Sequence, residues 1–221
     1  MIKQMYPSEL VNKEAFIAGL CIQKRVLHLG CCRYPYCQES FYSGELFHLK
    51  LLKIAQELHG MDIDRPSLDF LTQQGIPYLY WGDIEKIEIN HWDKHYDIIV
   101  AGEILEHLNN FGLFLSSIRH LMNPETLLVI SVPNTPTLKG FLRALVGQEM
   151  VHHDHVCYFS ATTLTTLLDR FEYRVEKIMY YCATPFQRSG HLLNLSNRVA
   201  ARLCRIFPRL GDGLIAVAKL R

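Results

Sequence analysis

Nearly continuous apolar segments alternate with helical patterns along this chain, and that alternation constrains its fold more than any other feature. The segments YDIIVAGE (96–103) and TLLVISVPN (126–134) have the composition of strands that are buried on both faces. Between them, Phe114, Ile118 and Leu121 recur at the spacing of one helix face. Strands that alternate with helices of this length predict βαβ units and a parallel sheet covered on both sides.

The other segments extend this pattern. Further parallel strands are predicted in RVLHL (25–29), HGMDID (59–64) and PYLYWGD (77–83), and helices over 8–20, 44–58 and 65–74, with residues 31–42 as a loop. Ser160 is a predicted cap for a later helix, and YRVEKIMYY (173–181) and GLIAVAKL (213–220) are predicted to pair as antiparallel edge strands. The predicted fold class is α/β, with a mostly parallel, doubly wound sheet.

Length and composition bound the class of protein. The chain has 221 residues, of which 49% are hydrophobic, so we expect a single domain over 1–221 with a substantial core. A formal net charge of +1 without a basic stripe argues against a nucleic-acid partner. Neither a signal peptide nor an apolar run of about 18–20 residues is present, which predicts a cytoplasmic protein without an integral membrane segment. The seven cysteines show no C-x-x-C spacing and are interpreted as reduced thiols.

Ligands of such sheets bind beyond the carboxyl ends of the strands, where this chain places Gly30, Asp62, Asp83 and Glu103. Asp62 has the position of a carboxylate that accepts hydrogen bonds from a ribose diol. The alternative is a turn or helix-cap role, for which Asp64 is equally available. Asp83 can accept from an exocyclic amine while the next backbone N–H, from Ile84, donates to a ring nitrogen. A simple Gly-Asp turn is the alternative.

The segment AGEILEHLNN (101–110) carries two carboxylates and an imidazole directly after a buried strand. In a helical turn, Glu103, Glu106 and His107 would all face one site. They could then supply a general base, or oxygen and nitrogen ligands to a divalent ion. The alternative is a solvated helix start, where acidic residues are favoured by the helix dipole.

A second polar cluster occurs in VHHDHVCYFS (151–160). Its three histidines suggest a metal site, but H-E-x-x-H spacing is absent, and His152 and His153 are adjacent. Substrate contact by His155 or Tyr158 is therefore the preferred interpretation, with an ordinary polar loop as the alternative. No metal ligand is assigned.

Taken in order, these segments resemble the class I S-adenosylmethionine-dependent methyltransferases. Residues 95–134 are similar to the fourth- and fifth-strand region of that family, with its "EHL" turn and a strand that ends in "PN". Residues 154–178 resemble the downstream helix and strand of the bacterial branch that includes ubiquinone-type and polysaccharide-associated enzymes. The resemblance covers roughly residues 24–182 and implies a Rossmann-like sheet that binds S-adenosylmethionine.

The resemblance also implies roles for individual residues. Gly30 would lie under the methionine part of the cofactor, Asp62 would bind the ribose, and Asp83 with Ile84 the adenine. Ala101 and Glu103 would line the sulfonium side, with Glu106 and His107 on the substrate side. The predicted cofactor-binding residues are His28, Gly30, Cys31, Asp62, Ile63, Asp83, Ile84, Ala101 and Glu103, and the predicted catalytic residues are His107, Glu106 and His155.

The first loop departs from the family pattern. In RVLHLGCCRYPYC (25–37), His28 replaces the usual acidic residue, and Cys32 and Tyr34 replace the second and third glycines. Glycine is favoured in this turn because it adopts positive φ and lets a ligand approach the backbone. A side chain at Cys32 would either crowd the cofactor or require a loop of different shape, and the long segment 32–43 favours the second outcome.

These observations lead to one functional hypothesis and two alternatives. The hypothesis is methyl transfer from S-adenosylmethionine to an oxygen, or in second place a nitrogen, of a small metabolite or glycan precursor, with His107 as the base. Segments 135–157 and 183–210 would form the cap that faces this small-molecule acceptor. The first alternative is a non-catalytic binding protein with a weakened cofactor site. The second, a nicotinamide-dependent oxidoreductase, lacks the G-x-G-x-x-G motif.

Overall fold

A computed structural model describes residues 8–86, 95–149, 151–182 and 202–221. In this part of the chain, the strands are β1 (Arg25–Leu29), β2 (Glu57–Asp62), β3 (Leu79–Trp81), β4 (Ile98–Gly102), β5 (Leu127–Pro133), β6 (Tyr173–Tyr181) and β7 (Gly213–Leu220). The α-helices are α1 (Lys13–Cys21), α2 (Cys37–Tyr42), α3 (Phe47–Leu52), α4 (Arg65–Gln73), α5 (Phe111–Arg119), α6 (Leu138–Leu145) and α7 (Ala161–Arg170). Short 3₁₀ turns cover Ile84–Lys86, Leu105–His107 and Pro208–Leu210.

The seven strands form one mixed sheet in the order β3-β2-β1-β4-β5-β7-β6. The first five are parallel to one another, whereas β7 is antiparallel to both β5 and β6. This arrangement confirms the predicted α/β class and the C-terminal antiparallel pair. Leu29 aligns with Met61 on one side and with Ala101 on the other, so the carboxyl ends of β1, β2 and β4 lie level.

The core covers both faces of the sheet, which explains why β4 shows no polar alternation. Its residues Ile99 and Ala101 pack into the cluster that contains α5 and α7, while Ile98 and Val100 pack into the cluster that contains α1 and α3. Successive residues of β4 thus face opposite layers of helices, so each of these positions needs an apolar side chain.

Three helical segments differ from the sequence-based prediction. The helix predicted over 44–58 is only α3, because the chain turns after Leu52 and enters β2, where Leu58 packs into the core. The first helix starts later, at Lys13, where the Asn12 side chain accepts a hydrogen bond from the N–H of Ala15 at 2.9 Å. Residues predicted as a loop contain α2.

Helix α6 lies in the segment predicted to cap the site. The hydroxyl of Thr137 caps it by accepting from the N–H of Gly140 at 2.8 Å, and Lys139 forms an ion pair with Asp212 at 2.9 Å. Its apolar side chains are exposed, among them Phe141, Leu142, Leu145 and Val146. Most of the second predicted cap, 183–210, falls outside the described residues. None of the described helices has the length and apolar character needed to cross a membrane.

Candidate active site

Four residues that follow neighbouring strands lie along one edge of the sheet. Asp62 ends β2, and Gly30, Asp83 and Glu103 come directly after or shortly after β1, β3 and β4. Because the strand order is β3-β2-β1-β4, these positions form a row in which neighbours are separated by about one strand spacing, roughly 4.8 Å. The topology therefore brings together the row that the sequence predicted.

Gly30 makes the turn at the start of the first loop. Its φ is +65°, and its N–H donates to the carbonyl of Met61 at 2.8 Å. A Cβ at this position would lie 3.0 Å from Cδ1 of Ile104. Both the backbone angle and the close approach favour glycine.

The rest of the loop passes beside Asp62 before it leaves the row. The thiols of Cys31, Cys32 and Cys37 are buried in a cluster of their own with apolar residues of α4. Tyr34 is 71% exposed. A hydrogen-bonding contact with Cys31, together with burial, raises the pKa of the Cys32 thiol, so this thiol is protonated at neutral pH. The loop has thus been reshaped so that Tyr34 projects to solvent, whereas the Cys32 thiol lies within 4.8 Å of a carboxylate oxygen of Asp62.

Asp62 fastens this loop to the sheet. One carboxylate oxygen accepts from the N–H of Cys32 at 2.8 Å and the other from the N–H of Asp64 at 3.0 Å. Each oxygen keeps a second lone pair, so the carboxylate can still accept from a ligand hydroxyl. The side chain of the neighbouring Ile63 is 65% exposed, and the Ile63 carbonyl accepts from Nε1 of Trp81 at 3.0 Å. The two side chains form an exposed apolar surface next to Asp62.

Asp83 and Ile84 form the end of the row. The Asp83 carboxylate accepts from the N–H of Glu85 at 2.9 Å and so begins the 3₁₀ turn, as the turn interpretation predicted. Ile84 packs against the main core cluster. A contact of either residue with adenine stays a prediction.

Two other predicted cofactor contacts are interior residues. The His28 imidazole is buried beside α3, with its Nδ1 3.2 Å from Nδ1 of His48 and the two rings stacked. Burial lowers the pKa of His28, and the nearby His48 lowers it further, so His28 is neutral. Ala101 is fully buried in β4, which leaves only its backbone to face a ligand.

Glu103 is the most strongly positioned residue of the site. Its φ of +54° is uncommon for a residue with a side chain and is typical of functional positions. Its Oε1 accepts from the Ser131 hydroxyl at 2.9 Å and from the Tyr181 hydroxyl at 2.5 Å, and lies 3.5 Å from Nζ of Lys13. All three contacts use Oε1, so they leave Oε2 available to a ligand.

These three partners of Glu103 were missed by the sequence analysis. Lys13 belongs to α1, Ser131 to β5 and Tyr181 to β6, and none of them lies in a recognisable motif. Only Ser131 carries a sequence signal, since it is a polar residue inside an otherwise apolar strand.

Glu106 lies beneath the surface rather than in an open cleft. It is 1% exposed, and its Oε2 has no hydrogen-bond partner within the described part of the chain. Burial, followed by the negative charge of Glu103, raises the pKa of Glu106 to about 8. At neutral pH its carboxyl group is therefore mostly protonated.

His107 belongs to a cluster of three imidazoles. Its ring centre lies 4.7 Å from that of His155 and 5.8 Å from that of His152. Burial, followed by His107 and His152, lowers the pKa of His155. His153 instead contacts Asp154, at 3.2 Å. The sequence analysis recognised the histidine-rich loop but did not connect His152 with His107.

Comparisons with known proteins agree with this arrangement. A family model described as a methyltransferase domain matches residues 24–178. The ubiquinone biosynthesis O-methyltransferase of Azorhizobium caulinodans is 36% identical over 132 residues, which cover 58% of this chain and 47% of that protein. The protein of the same name from Shewanella halifaxensis is 23% identical over 170 residues, with coverages of 71% and 66%. A solved structure of a SAM-dependent methyltransferase from Archaeoglobus fulgidus has a TM-score of 0.57 and 21% identity, and the match covers 93% of this chain and 90% of that one.

In a mostly parallel α/β sheet of this kind, ligands bind beyond the carboxyl ends of the strands, where this chain has its acidic side chains. The methyltransferase-domain match spans more than half of the sequence, and the chain belongs to the class I S-adenosylmethionine-dependent methyltransferases. The chain spans about half the length of the first of the relatives named above.

Proposed function

We propose that this protein transfers a methyl group from S-adenosylmethionine to an oxygen atom of a small-molecule acceptor. The observation that carries the proposal is the row of Gly30, Asp62, Asp83 and Glu103 at the sheet edge. The family supports S-adenosylmethionine as the methyl donor. The relatives named O-methyltransferase favour oxygen over nitrogen as the acceptor atom.

The row fits the cofactor in three places. The glycine turn at Gly30 would lie under the methionine part of the cofactor, and its positive φ and the nearby Ile104 side chain leave no room for a Cβ. The free lone pairs of Asp62 would accept from the ribose hydroxyls, and the exposed Ile63 would cover the sugar. Asp83 and the N–H of Ile84 would contact the adenine. His28 and Cys31 would support the loop from behind rather than touch the cofactor, since both are buried.

Glu103 would face the sulfonium. S-adenosylmethionine supplies a methyl group that is already electrophilic, so the protein has mainly to align the acceptor and exclude water. The carboxylate attracts the positive charge of the sulfonium, and the hydrogen bonds from Ser131 and Tyr181 fix its direction. These bonds explain why an unusual backbone angle is maintained at Glu103.

The acceptor would lie on the opposite side of Glu103, near His107. An imidazole is suited to accept the hydroxyl proton near neutral pH, and His155 lies close enough to orient the ring of His107. The Glu106 carboxyl group is buried and mostly protonated at pH 7, so it would donate a hydrogen bond within the site rather than accept the acceptor's proton. The exposed apolar side chains of α6 favour an acceptor with an apolar part, such as a phenol or a metabolite with an alkyl chain.

Two measurements test the proposal. The first is a calorimetric titration with S-adenosylmethionine, for which we expect a dissociation constant in the micromolar range. The second uses methyl-labelled cofactor and a panel of phenols, aliphatic alcohols and amines, for which we expect labelled product from hydroxyl-bearing acceptors.

The His107→Ala variant should lose at least about 100-fold in turnover with less than a threefold change in cofactor affinity. His120→Ala, which removes an imidazole directly after α5, is the matched control and should behave as wild type. Absence of binding at millimolar cofactor would refute the proposal and favour a non-catalytic binding protein. Full turnover in the His107→Ala variant would refute the role of His107 alone.

A further inference from the structure

We propose that His107, His152 and His155 form a binding site for a divalent transition-metal ion of the zinc type. This inference goes beyond methyl transfer and does not depend on it, because metal binding can be measured on the protein without cofactor or acceptor.

The distances between the three side chains support such a site. Each histidine offers one ring nitrogen, and these three nitrogens lie within 4.8 Å of one another. Ligands of a tetrahedral zinc ion, with bonds of about 2.0–2.1 Å, are separated by about 3.3 Å. The nitrogens would therefore have to approach one another by about 1.5 Å at most, a shift that small rotations of side chains at the protein surface can provide.

The backbone holds the two contributing segments together. His107 ends the 3₁₀ turn after β4, whereas His152 and His155 belong to the loop before α7. The N–H of Val156 donates to the carbonyl of Glu106 at 2.9 Å, and this bond joins the immediate neighbours of His155 and His107. The N–H of His155 donates to the carbonyl of His152 at 3.0 Å, which closes the loop into a turn. The cluster is thus fixed from two directions.

The donor set determines the class of ion. Imidazole nitrogens suit zinc, copper, nickel and cobalt, whereas magnesium and calcium prefer oxygen ligands. Three protein ligands leave a fourth position for water or a ligand oxygen, as in catalytic rather than structural zinc sites. The Asp154 carboxylate lies 3.8 Å from Nδ1 of His152, too far for a hydrogen bond, and 3.2 Å from Nε2 of His153.

Two other clusters in the described residues offer competing donors, and the experiment must separate them. His152, His153 and Asp154 are neighbours in sequence and are all exposed. Cys31 and Cys32 of the first loop lie together with Asp62 of β2, and all three are buried. The first alternative depends on His153 and not on His107, and the second would give cobalt–thiolate absorption.

The test is a titration of the chelator-treated full chain with Co²⁺, followed by displacement with Zn²⁺. We expect visible absorption of tetrahedral cobalt at one equivalent, without a thiolate charge-transfer band. The His107→Ala, His152→Ala and His155→Ala variants should each bind at least tenfold more weakly. The matched control His153→Ala should bind as wild type.

The variants also define the results that overturn the proposal. Loss of binding in His153→Ala with retention in His107→Ala would assign the ion to the exposed neighbouring cluster. A thiolate band would assign it to the cysteines, and absence of binding at 100 equivalents of Co²⁺ would exclude the site. Circular dichroism of each variant distinguishes loss of a metal ligand from loss of the fold. Of the three ligand substitutions, His152→Ala should perturb folding least, because His152 is exposed.

Discussion

The hydroxyl of Tyr181, in the last position of β6, donates a hydrogen bond to the carboxylate of Glu103, the first residue after β4, although the two are 78 residues apart in sequence. Tyr181 is buried, and the negative charge of Glu103 adds to that burial in raising the pKa of the phenol. The tyrosine is therefore a hydrogen-bond donor to this carboxylate at neutral pH. Its partner is the residue that we place beside the sulfonium.

Replacing Tyr181 by Phe should affect the cofactor site as well as stability. The substitution removes a buried hydrogen bond to a charged group, which costs about 1.5–3 kcal/mol, and it frees the Glu103 side chain to rotate. We expect S-adenosylmethionine to bind several-fold more weakly, as measured by calorimetry. The control is Tyr173→Phe, which removes a buried hydroxyl bonded to the Leu115 carbonyl, away from the row. Equal effects of the two variants on affinity would contradict the positioning role.

Replacing Glu103 by Gln tests the electrostatic role of the carboxylate. The change removes a negative charge but keeps the shape, so it should weaken binding of the cationic S-adenosylmethionine more than that of its neutral product, S-adenosylhomocysteine. We expect the ratio of the two dissociation constants to change by about tenfold. Glu125→Gln, a surface residue paired with Lys219, should leave the ratio unchanged. If Glu103→Gln weakens both ligands equally, the carboxylate does not face the sulfonium.

The buried Glu106 should make stability fall as pH rises. Its pKa is about 8 in the folded protein and about 4.5 when the group is unperturbed. Between these values the unfolded chain releases a proton that the folded chain retains, so the free energy of unfolding decreases from pH 4.5 to 8. The effect is on the order of a few kcal/mol, or roughly 5–10 °C in melting temperature for a domain of this size.

The Glu106→Gln variant should lack this part of the pH dependence. The measurement is the difference in melting temperature between variant and wild type at pH 5 and pH 8.5, and the variant should gain on the wild type at the higher pH. Burial lowers the pKa of His48 to about 4, so His48 changes stability with pH in the opposite direction. Because His48 is present in both proteins, its contribution cancels in the difference between variant and wild type. Parallel melting profiles would show that Glu106 is not buried in the neutral form.

Zinc should inhibit methyl transfer if both proposals hold. An imidazole that coordinates an ion has no lone pair with which to accept a proton, so Zn²⁺ and the proposed base function of His107 exclude each other. We expect turnover to fall as one equivalent of Zn²⁺ is added. For the His152→Ala variant, turnover is expressed relative to that of the same variant without metal. The concentration of Zn²⁺ that halves this turnover should be at least tenfold higher than for the wild type. Stimulation by Zn²⁺ would show that an ion, and not the imidazole, activates the acceptor.

The architecture and the row at the sheet edge could be predicted from sequence because both depend on local patterns. An apolar strand followed by an acidic residue is visible in IIVAGE, and parallel strands necessarily end at the same edge. The extent of the helix predicted over 44–58 could not be predicted, since Leu58 continues the helical spacing but belongs to β2. Apolar periodicity alone does not distinguish a helix that continues from a turn that leads into a buried strand.

The contacts that complete the site depend on long-range pairing and were not visible in the sequence. Tyr181 reaches Glu103 only because β6 and β7 pair in their particular register beyond β5. His152 meets His107 only because the bond between Val156 and Glu106 joins two distant segments. Neither pairing has a local signature, so sequence patterns indicated the individual residues but not their partners.

The position of β7 inside the sheet has a consequence for synthesis of the protein. In the finished sheet, β6 has β7 as its strand neighbour, yet the ribosome makes β6 first. A nascent chain that has reached Tyr181 has the two backbone hydrogen bonds between Tyr180 and residues 9–11, but it lacks the strand that lies between β6 and β5. The sheet joins β6 to β5 only after residues 213–220 have emerged, so a fragment that ends before them would carry the row at the sheet edge without the strand that connects Tyr181 to the rest of the sheet.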